Sequence, residues 1–287
     1  MKTLALNIWV LFKLRISLAI MLCALAGIAV SPDSSVTGWQ ITAIALSVLL
    51  SAAAAGGFNH YAEWDLDRQM VRTQDRPFVT GYFRRGPLWL SVFFSTLVVA
   101  VVLAGFATNW IAAGYVFLGA FFYGVVYTIW LKRRSWTNIV LGGLSGSFAV
   151  LAGAAAVEPA LSEVPVILAV VLFLWTPPHF WSLATVLRDQ YAEANVPMLP
   201  VVIGDRRAAW VSLAHTIPLT ILSLIPFAYG MGWIYLAGAA LGGIYFVAKS
   251  VELVRNPGPE AASSAFRASL IQLTLLLLAA MADGWLT

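Results

Sequence analysis

Long apolar runs recur along almost the whole of this sequence, and they restrict its fold more than any other feature. A helix needs about 17 to 25 apolar residues to cross a bilayer, and nine runs of that kind occupy residues 13–30, 39–58, 88–108, 110–131, 138–157, 164–187, 208–229, 232–254 and 266–285. Polar and apolar residues do not alternate with a period of two, so a membrane β-barrel is not expected. Backbone groups inside a bilayer must then be satisfied within helices. The sequence therefore predicts an all-α, polytopic bundle of about nine transmembrane helices.

The composition supports this interpretation, because 61% of the 287 residues are hydrophobic and only 10% are charged. Soluble domains contain roughly a quarter of charged residues. A chain of this kind is not expected to bind nucleic acid, and it is neither a secreted disulfide scaffold nor a disordered tail. Cys23 is the only cysteine, which excludes an intramolecular disulfide and a cysteine-rich metal site. We expect residues 1–287 to form one transmembrane domain in contact with membrane lipid.

The charged residues predict an orientation in the membrane. All 17 lysines and arginines flank the spans on one side, whereas the other side carries only Asp33, Glu158, Glu163 and Asp283. The positive-inside rule then places the N-terminus and the basic loops in the cytoplasm and, with an odd number of spans, the C-terminus outside. A signal peptide ending before Ser31 is the alternative for the first run, but no clear cleavage site precedes it and eight spans follow. Without a long leader rich in arginine and serine, a bacterial plasma (inner) membrane is expected.

The loop after the second span carries a stripe of oxygen-bearing side chains. Asn59, Glu63 and Asp67 are spaced i, i+4 and i+8, so they share one face if the span continues as a helix. Such ligands suit Mg²⁺, which commonly shares its coordination with substrate phosphates. Arg72 and Arg76 follow, and guanidinium groups bind phosphate oxygens in a bidentate fork. We expect a site for a metal and a diphosphate here; the alternative is a solvated loop whose acids balance its arginines.

Further charged residues lie on the same side of the predicted membrane. Asp65 points away from the stripe, so it is expected to support the site or to pair with an arginine. Lys132 and Arg133 end the fourth span and are candidates for binding the diphosphate, whereas Arg134 is expected to be an ordinary interfacial anchor. His215, in the seventh span, is expected to form a hydrogen bond in helix packing.

Two adjacent prolines interrupt the sixth span. Pro177 and Pro178 lack backbone donors, so we expect the helix to break at membrane depth, with the freed carbonyls lining a cavity. His179 follows and is a functional candidate, because ionisable residues are rare within spans. The alternative is a neutral histidine that donates to a freed carbonyl at the kink. Arg188 and Asp189 follow at the cytoplasmic end.

A faint internal repeat relates two parts of the chain. Asp67 and Asp189 are 122 residues apart, and the pair Arg84-Arg85 has the same offset from Arg206-Arg207. The repeat predicts two four-helix halves whose acidic loops face each other across one cavity. Small residues in the fifth span, among them Gly153, are expected to permit close helix contacts.

These motifs resemble those of a known family. The stripe from Asn59 to Asp67, followed by Met70-x-Arg72-Thr73-x-x-Arg76-Pro77, resembles the first aspartate-rich motif of the UbiA superfamily of membrane prenyltransferases. Within that superfamily, residues 127–134, 138–143, 176–181 and 196–202 are similar to the protohaem IX farnesyltransferases, also called haem O synthases. The resemblance spans roughly residues 55–205, and its most specific block is the Pro-Pro-His-Phe-Trp run at 177–181.

The resemblance implies a nine-helix bundle around a central cavity, which joins a farnesyl group from farnesyl diphosphate to a vinyl group of haem b, with addition of water. The implied Mg²⁺ ligands are Asn59, Glu63, Asp67 and Asp189, and these residues together with Asp65 and His179 are the catalytic candidates. The implied diphosphate-binding residues are Arg72, Arg76, Lys132, Arg133 and Arg188. The implied haem or prenyl pocket contains Tyr61, Tyr127, Trp175, His179, Phe180 and Trp181. Aromatic rings of this kind present π density to an allylic cation.

The sequence departs from the family pattern at three places. His60 stands where aspartate is common, Asn195 replaces a usual glycine, and Phe148-Ala149-Val150 replaces a usual proline pair. Two alternatives stay open: a superfamily member that prenylates a quinone or chlorophyll-type acceptor, and a transporter, a class in which repeats and broken helices are common. Against the transporter, the acids lie at one membrane face and not at midplane. A haem A synthase or a terminal oxidase in assembly is a further candidate partner.

Overall fold

The computed structural model describes residues 2–31 and 36–286, and the described residues contain helices and connecting turns without β-strands. Asp33, one of the acids in the orientation argument, lies outside them. The all-α prediction is confirmed.

Fourteen α-helices follow one another along the described chain, and the two segments of other helical type continue α6 and α12. Their bounds are α1 (Lys2–Leu11), α2 (Leu14–Ala29), α3 (Gly38–Ala62), α4 (Trp64–Asp67), α5 (Pro87–Ala107), α6 (Trp110–Phe121) with a π-helical continuation (Phe122–Leu131), α7 (Asn138–Gly142), α8 (Leu144–Val157), α9 (Glu163–Val186), α10 (Arg188–Glu193), α11 (Leu199–Ile203), α12 (Asp205–Leu224) with a 3₁₀ continuation (Ile225–Tyr229), α13 (Trp233–Arg255) and α14 (Pro259–Leu286). Within the described residues, eight helices are long and apolar enough to cross a membrane, and the count rises to nine if α1 and α2, which are bent by 52° relative to each other, are one span. This agrees with the predicted count of about nine.

The spans pack in chain order around a closed ring. Each span contacts the next one, and α14 returns to contact α2. The ring is pinched, because α2 also contacts α8 and α14 also contacts α9. A larger lobe therefore contains α2, α3, α5, α6 and α8, and a smaller lobe contains α9, α12, α13 and α14. The division falls one span later than the internal repeat predicts, so the two predicted four-helix halves are not the lobes of the fold.

Small residues let the helices at the pinch approach closely. A Cβ atom on Gly153 of α8 would overlap the backbone of Ala24 in α2, and one on Gly27 of α2 would overlap the backbone of Val150 in α8. Small residues at such contacts are the usual means of packing helices in lipid. The packing role predicted for Gly153 is confirmed.

The predicted break in the sixth span is wrong. Helix α9 continues through Pro177 and Pro178, and both prolines are buried. The two missing donors free only the carbonyls of residues 173 and 174, while Thr176 Oγ1 donates to the carbonyl of Leu172 at 3.0 Å. Helices α8, α12 and α14 pack around α9, and such packing holds a proline-containing helix in place within a bundle.

Candidate functional site

An apolar cavity lies within the larger lobe, between α2, α3, α6 and α8, and its empty space of about 600 Å³ includes the part that is open to solvent. Its lining includes Ile20, Val48, Ala52, Val116 and Ala149, and Lys13 and Tyr123 also line it. A long hydrocarbon chain is the kind of ligand that such a lining favours. The cavity lies inside the larger lobe, and the fifth span, α8, contributes Ser145 and Ala149 to its lining.

The predicted stripe lies beside this cavity. Asn59, Glu63 and Asp67 are 1%, 2% and 2% exposed, so they are not part of a solvated loop. Helical hydrogen bonds run from Glu63 N to Asn59 O (2.9 Å) and from Asp67 N to Glu63 O (2.8 Å). The register therefore continues across the junction of α3 and α4, and the prediction that the three residues share one face is confirmed.

Each residue of the stripe contacts its own cation. Lys132 Nζ donates to Glu63 Oε2 at 2.5 Å, and Arg76 donates to Asp67 Oδ2 at 2.6 Å. Lys13 Nζ donates to Asn59 Oδ1 at 2.5 Å. We call these six residues, three of the stripe and three cations, the polar cluster. Its cations outnumber its carboxylates by three to two, which favours an additional anion.

Burial and neighbouring charges act on the two carboxyl groups in different proportions. Burial raises the pKa of Glu63, but Lys132, Lys13 and Arg76 together outweigh it and hold that pKa below its ordinary value. For Asp67, burial outweighs Arg76 and raises the pKa.

Glu63 Oε1 is buried without a hydrogen-bond partner. An unsatisfied buried oxygen is costly, so this atom fits a further cation, and the oxygen donors of the stripe fit Mg²⁺.

Sequence reasoning missed Lys13, which occupies the bend between α1 and α2 with left-handed backbone angles (φ 47°, ψ 43°). Its Nζ donates both to Asn59 and to Tyr123 Oη, the latter at 2.8 Å. Gly56 makes room for its stem, since a Cβ there would lie 3.3 Å from Lys13 Cβ. A single lysine inside an apolar run is the signal that points to such a residue.

The π-helical continuation of α6 supplies the opposite wall. Asn59 Nδ2 donates to Thr128 Oγ1 at 2.9 Å. Tyr127, a predicted pocket residue, stacks on Tyr123 with 5.4 Å between the two ring centroids. Lys132 Nζ lies 5.5 Å from the centroid of the Tyr127 ring. π-Helical segments are rare and frequent at functional sites. Tyr123 is a further residue that the sequence did not single out, whereas Thr128 belongs to the block 127–134 that carries the family resemblance.

Asp65 points away from the polar cluster. It accepts two hydrogen bonds from Arg133, at 2.6 and 2.7 Å, and both side chains are about half exposed (51% and 45%). The hydrogen bonds from Arg133 lower the pKa of Asp65, and those to Asp65 raise the pKa of Arg133. Two roles were expected for Asp65, and in the structure it forms the ion pair with an arginine.

The other predicted diphosphate ligands are exposed at the same end of the bundle. The backbone N–H of Arg72 donates to Gln190 Oε1 at 3.4 Å, and Arg188 pairs with Asp205 at 3.4 Å. Both arginines are exposed. The structure therefore brings Arg76 and Lys132 to the stripe, whereas Arg72 and Arg133 lie in the surrounding loops and Arg188 begins α10.

Asp189 does not join the stripe. Its side chain is exposed on α10, and within residues 2–31 and 36–286 no three His, Cys, Asp or Glu side chains converge as a metal site. Tyr191 occupies the inner face of the same helix instead. It is 1% exposed, its hydroxyl has no hydrogen-bond partner, and it packs in one apolar cluster with Tyr127. The helical phase of α10, which its short sequence does not reveal, causes this difference.

His179 lies between α9 and α14. Its ring is sandwiched between Trp175 and Phe266, with centroid distances of 4.2 and 4.7 Å. Nδ1 is 2.7 Å from Ser269 Oγ, and Trp175 Nε1 donates to the carbonyl of Ser269 at 3.0 Å. The alternative that His179 donates to a freed carbonyl at a kink is wrong, because its partner is a hydroxyl on another helix.

The remaining predicted pocket residues are dispersed. Tyr61 packs edge-on against Phe78, and the guanidinium of Arg85 lies 4.6 Å from its ring centroid. Phe180 and the buried Trp181 pack in the same apolar cluster as Tyr127. His215, whose Nδ1 is 2.9 Å from the carbonyl of Val211, contacts the face of Trp181 edge-on. The ring of His215 therefore packs against α9, whereas its hydrogen bond stays within α12 and does not join two helices.

Sequence comparison with known proteins gives consistent matches. A family model described as the UbiA prenyltransferase family matches residues 20–276. Protoheme IX farnesyltransferase 2 of Paramagnetospirillum magneticum is 57% identical over 272 residues, which cover 95% of this chain and 94% of that protein. Protoheme IX farnesyltransferase 1 of the same organism is 45% identical, covering 95% and 96%. The Protoheme IX farnesyltransferase of Alkalilimnicola ehrlichii is 37% identical, covering 95% and 90%.

Solved structures share the fold at low sequence identity. A structure reported for digeranylgeranylglyceryl phosphate synthase covers 100% of both chains, with a TM-score of 0.81 and 19% identity. A UbiA homolog from Archaeoglobus fulgidus bound to DMAPP and Mg²⁺ covers 96% of this chain and 99% of its own, with a TM-score of 0.71 and 16% identity. At these identities the similarity concerns the fold alone.

Proposed function

This chain belongs to the UbiA prenyltransferase family, and from that premise we propose that it transfers the farnesyl group of farnesyl diphosphate to a vinyl group of haem b. The products are haem O and diphosphate. Three relatives named protoheme IX farnesyltransferase, at 37% to 57% identity over 95% of the chain, support this acceptor. The resemblance inferred from the sequence motifs is thereby confirmed. The transporter alternative is not retained, because the family is one of prenyltransferases.

One observation carries the proposal: a buried polar cluster adjoins an apolar cavity. The apolar lining of the cavity suits a prenyl chain. The cations of the polar cluster suit the diphosphate group at the end of the prenyl chain. Lys13 and Tyr123 belong to the lining of the cavity and also contact each other beside Asn59, so the two parts of the site are continuous.

We assign Mg²⁺ to the oxygen donors Asn59, Glu63 and Asp67. The unpaired buried oxygen of Glu63 supports this assignment, and relatives from Archaeoglobus fulgidus were solved with Mg²⁺ and a prenyl diphosphate, DMAPP or GPP. When bound, the ion withdraws charge from a diphosphate leaving group. Asp189 completes the predicted ligand set only if the exposed helix α10 moves toward the stripe.

The basic residues of this chain bind and stabilise the diphosphate. Arg76 and Lys132 lie within the polar cluster and are assigned to the bound diphosphate. The exposed Arg72, Arg133 and Arg188 raise the positive potential at this end of the bundle and attract the anion. Preorganised cations of this kind stabilise the charge that develops on a leaving group.

The transfer breaks the bond between C1 of the farnesyl group and the diphosphate oxygen, and the electron pair leaves with that oxygen. Tyr123 and Tyr127, at the junction of cavity and cluster, present π density to the allylic cation. The electron pair of the haem vinyl group forms the new bond to C1. Water then adds to the resulting carbocation and releases one proton, which gives the hydroxyethylfarnesyl side chain.

We assign contact with haem to His179. Its Nδ1 interacts with Ser269 and its ring faces contact Trp175 and Phe266, so Nε2 is the nitrogen left for an iron or for the haem edge. Purified protein should retain haem, and His179→Ala should lose the haem absorption band while His215→Ala keeps it. Equal retention by both variants would contradict the assignment.

The proposed location is the bacterial inner membrane, with the polar cluster facing the cytoplasm and the C-terminus outside. The partition of 17 basic residues to one end supports this orientation. We propose that residues 1–287 form one domain. The candidate protein partner is a haem A synthase or a terminal oxidase in assembly.

The decisive experiment incubates the purified protein with haem b, farnesyl diphosphate and Mg²⁺ and detects haem O by mass spectrometry. A parallel reaction with EDTA should yield none. Aromatic quinone precursors serve as competing acceptors, and their prenylation in place of haem would support the alternative acceptor class. No haem O under conditions in which a relative named protoheme IX farnesyltransferase forms it would overturn the proposal.

A further inference from the structure

Lys13 connects the two parts of the site. Among the three cations of the polar cluster, Lys13 is the one that also lines the apolar cavity. Its ammonium group donates to Asn59 Oδ1 and Tyr123 Oη. An ammonium carries three N–H donors, so two protein contacts leave one for a ligand.

The surroundings of Lys13 hold it in this place. Its backbone adopts left-handed angles in the bend between α1 and α2, a conformation that costs free energy in a non-glycine residue and is concentrated at functional sites. Gly56, one turn before Asn59, leaves space for the lysine stem. Tyr123 holds the amine from a third side by accepting its hydrogen bond at 2.8 Å. Three helical segments therefore fix one amine.

The order of groups in a prenyl diphosphate determines what this amine faces. If the hydrocarbon chain occupies the cavity and the terminal phosphate occupies the cluster near Arg76 and Lys132, the C1–O bond lies at the junction. We propose that Lys13 is a catalytic residue whose ammonium donates a hydrogen bond to the oxygen that leaves C1. This inference rests on the proposed prenyl transfer and adds the residue that acts on the breaking bond.

The chemical step needs no proton transfer from Lys13. As the C1–O bond breaks, its electron pair remains on the diphosphate oxygen, and the ammonium stabilises that increasing negative charge. A donor directed at developing charge affects the transition state more than the ground state. Arg76 and Lys132, which contact carboxylates outside the cavity lining, bind charge that is already present in the substrate.

The test compares Lys13→Met, which keeps most of the stem but removes the charge, with Lys13→Arg and the wild type. Single-turnover formation of haem O gives the rate, and calorimetric titration with farnesyl thiolodiphosphate and Mg²⁺ gives the binding. We expect Lys13→Met to lower the rate about 100-fold, the usual effect of losing one such donor, while analogue binding weakens much less. Lys13→Arg should restore part of the rate. Lys249→Met, which removes a surface ion pair with Glu252, is the matched control and should leave both quantities unchanged.

A second variant adds the amine after folding. Lys13→Cys should be slow, and alkylation with 2-bromoethylamine should restore its rate by forming an aminoethyl side chain. Cys23, the native cysteine, is buried, and treated wild type shows whether its modification matters. If Lys13→Met does not remain monodisperse, this recovery decides the question.

The outcomes separate the two proposals. A wild type that forms no haem O overturns the proposed function whatever Lys13 does. An active wild type combined with an unchanged rate in Lys13→Met, or with equal losses of rate and binding, overturns the role of Lys13 alone. Absence of recovery after alkylation of a folded Lys13→Cys does the same.

Discussion

Neighbouring acids in this chain have opposite surroundings. Glu63 and Asp67 are 2% exposed and contact buried or half-buried cations, whereas the side chain of Asp65 is 51% exposed and pairs with Arg133 at the surface. A surface ion pair contributes little free energy, about 0 to 1 kcal/mol. A buried carboxylate that loses its charge leaves its partner cation unpaired. Substitution of the exposed Asp65 is therefore a matched control for substitution of the buried Glu63 or Asp67.

Asp67→Asn should lower the rate of haem O formation about 100-fold or more, since it removes a charged oxygen from the proposed metal and diphosphate site. Asp65→Asn should change the rate only a few-fold. Both rates are measured at saturating substrate on monodisperse protein. Equal effects of the two substitutions would show that position 67 has no special role.

Acid should weaken the pair between Glu63 and Lys132. Although burial raises the pKa of Glu63, Lys132, Lys13 and Arg76 hold it below the ordinary value of 4.5. The ionised pair therefore contributes stability above the unfolded-state pKa, and this contribution disappears as the pH falls through the lower folded-state pKa. In detergent, Glu63→Gln should unfold at a lower temperature than wild type near neutral pH, and the gap should narrow below about pH 4.5. A gap independent of pH would contradict the ion pair.

At the residue scale, the sequence predicted what local register determines. The i, i+4, i+8 spacing of Asn59, Glu63 and Asp67 survives because helical hydrogen bonds cross the α3–α4 junction. The contacts of Lys13 with Asn59 and Tyr123 join residues 46 and 110 positions apart. Such contacts depend on how the helices pack, and spacing along the chain does not reveal them.

At the element scale, apolar length predicted the spans well, and local rules failed where packing opposed them. Two prolines predicted a break in α9, yet the surrounding helices hold it continuous. The first predicted span began at residue 13, but in the structure the helix α1 precedes it, and a bend separates α1 from α2. Hydropathy measures the length of a span and carries little information about bends within it.

The contact of α8 with α2 gives a test at this scale. Gly153→Ala would place a methyl group against the backbone of Ala24, so the two helices must separate. Overpacking of this kind typically costs about 1 to 3 kcal/mol. Gly146→Ala is the matched control on the same helix, because its nearest neighbour would be Leu172 Cδ2 at an ordinary 3.7 Å. Unfolding of both variants in detergent should show a loss of stability for Gly153→Ala only; equal stabilities would contradict the close contact.

At the scale of the whole molecule, the basic residues define an orientation that can be measured. In a Cys23→Ser background, Arg84→Cys and Glu158→Cys introduce exposed cysteines at opposite ends of the bundle. In intact cells, a membrane-impermeant maleimide should label position 158 and not position 84, and inverted vesicles should give the reverse pattern. Labelling of position 84 in intact cells would reverse the proposed orientation.

The return of α14 to α2 also has a consequence for biosynthesis. Gly284, near the end of α14, lies against the backbone of Ala29 in α2. The two helices meet in space although about 250 residues of sequence separate them. During translation, α2 enters the membrane long before this neighbour has been made, and lipid must cover that flank until then. The translocation machinery therefore handles an incomplete ring until α14 is made, and the ring closes only when α14 is inserted.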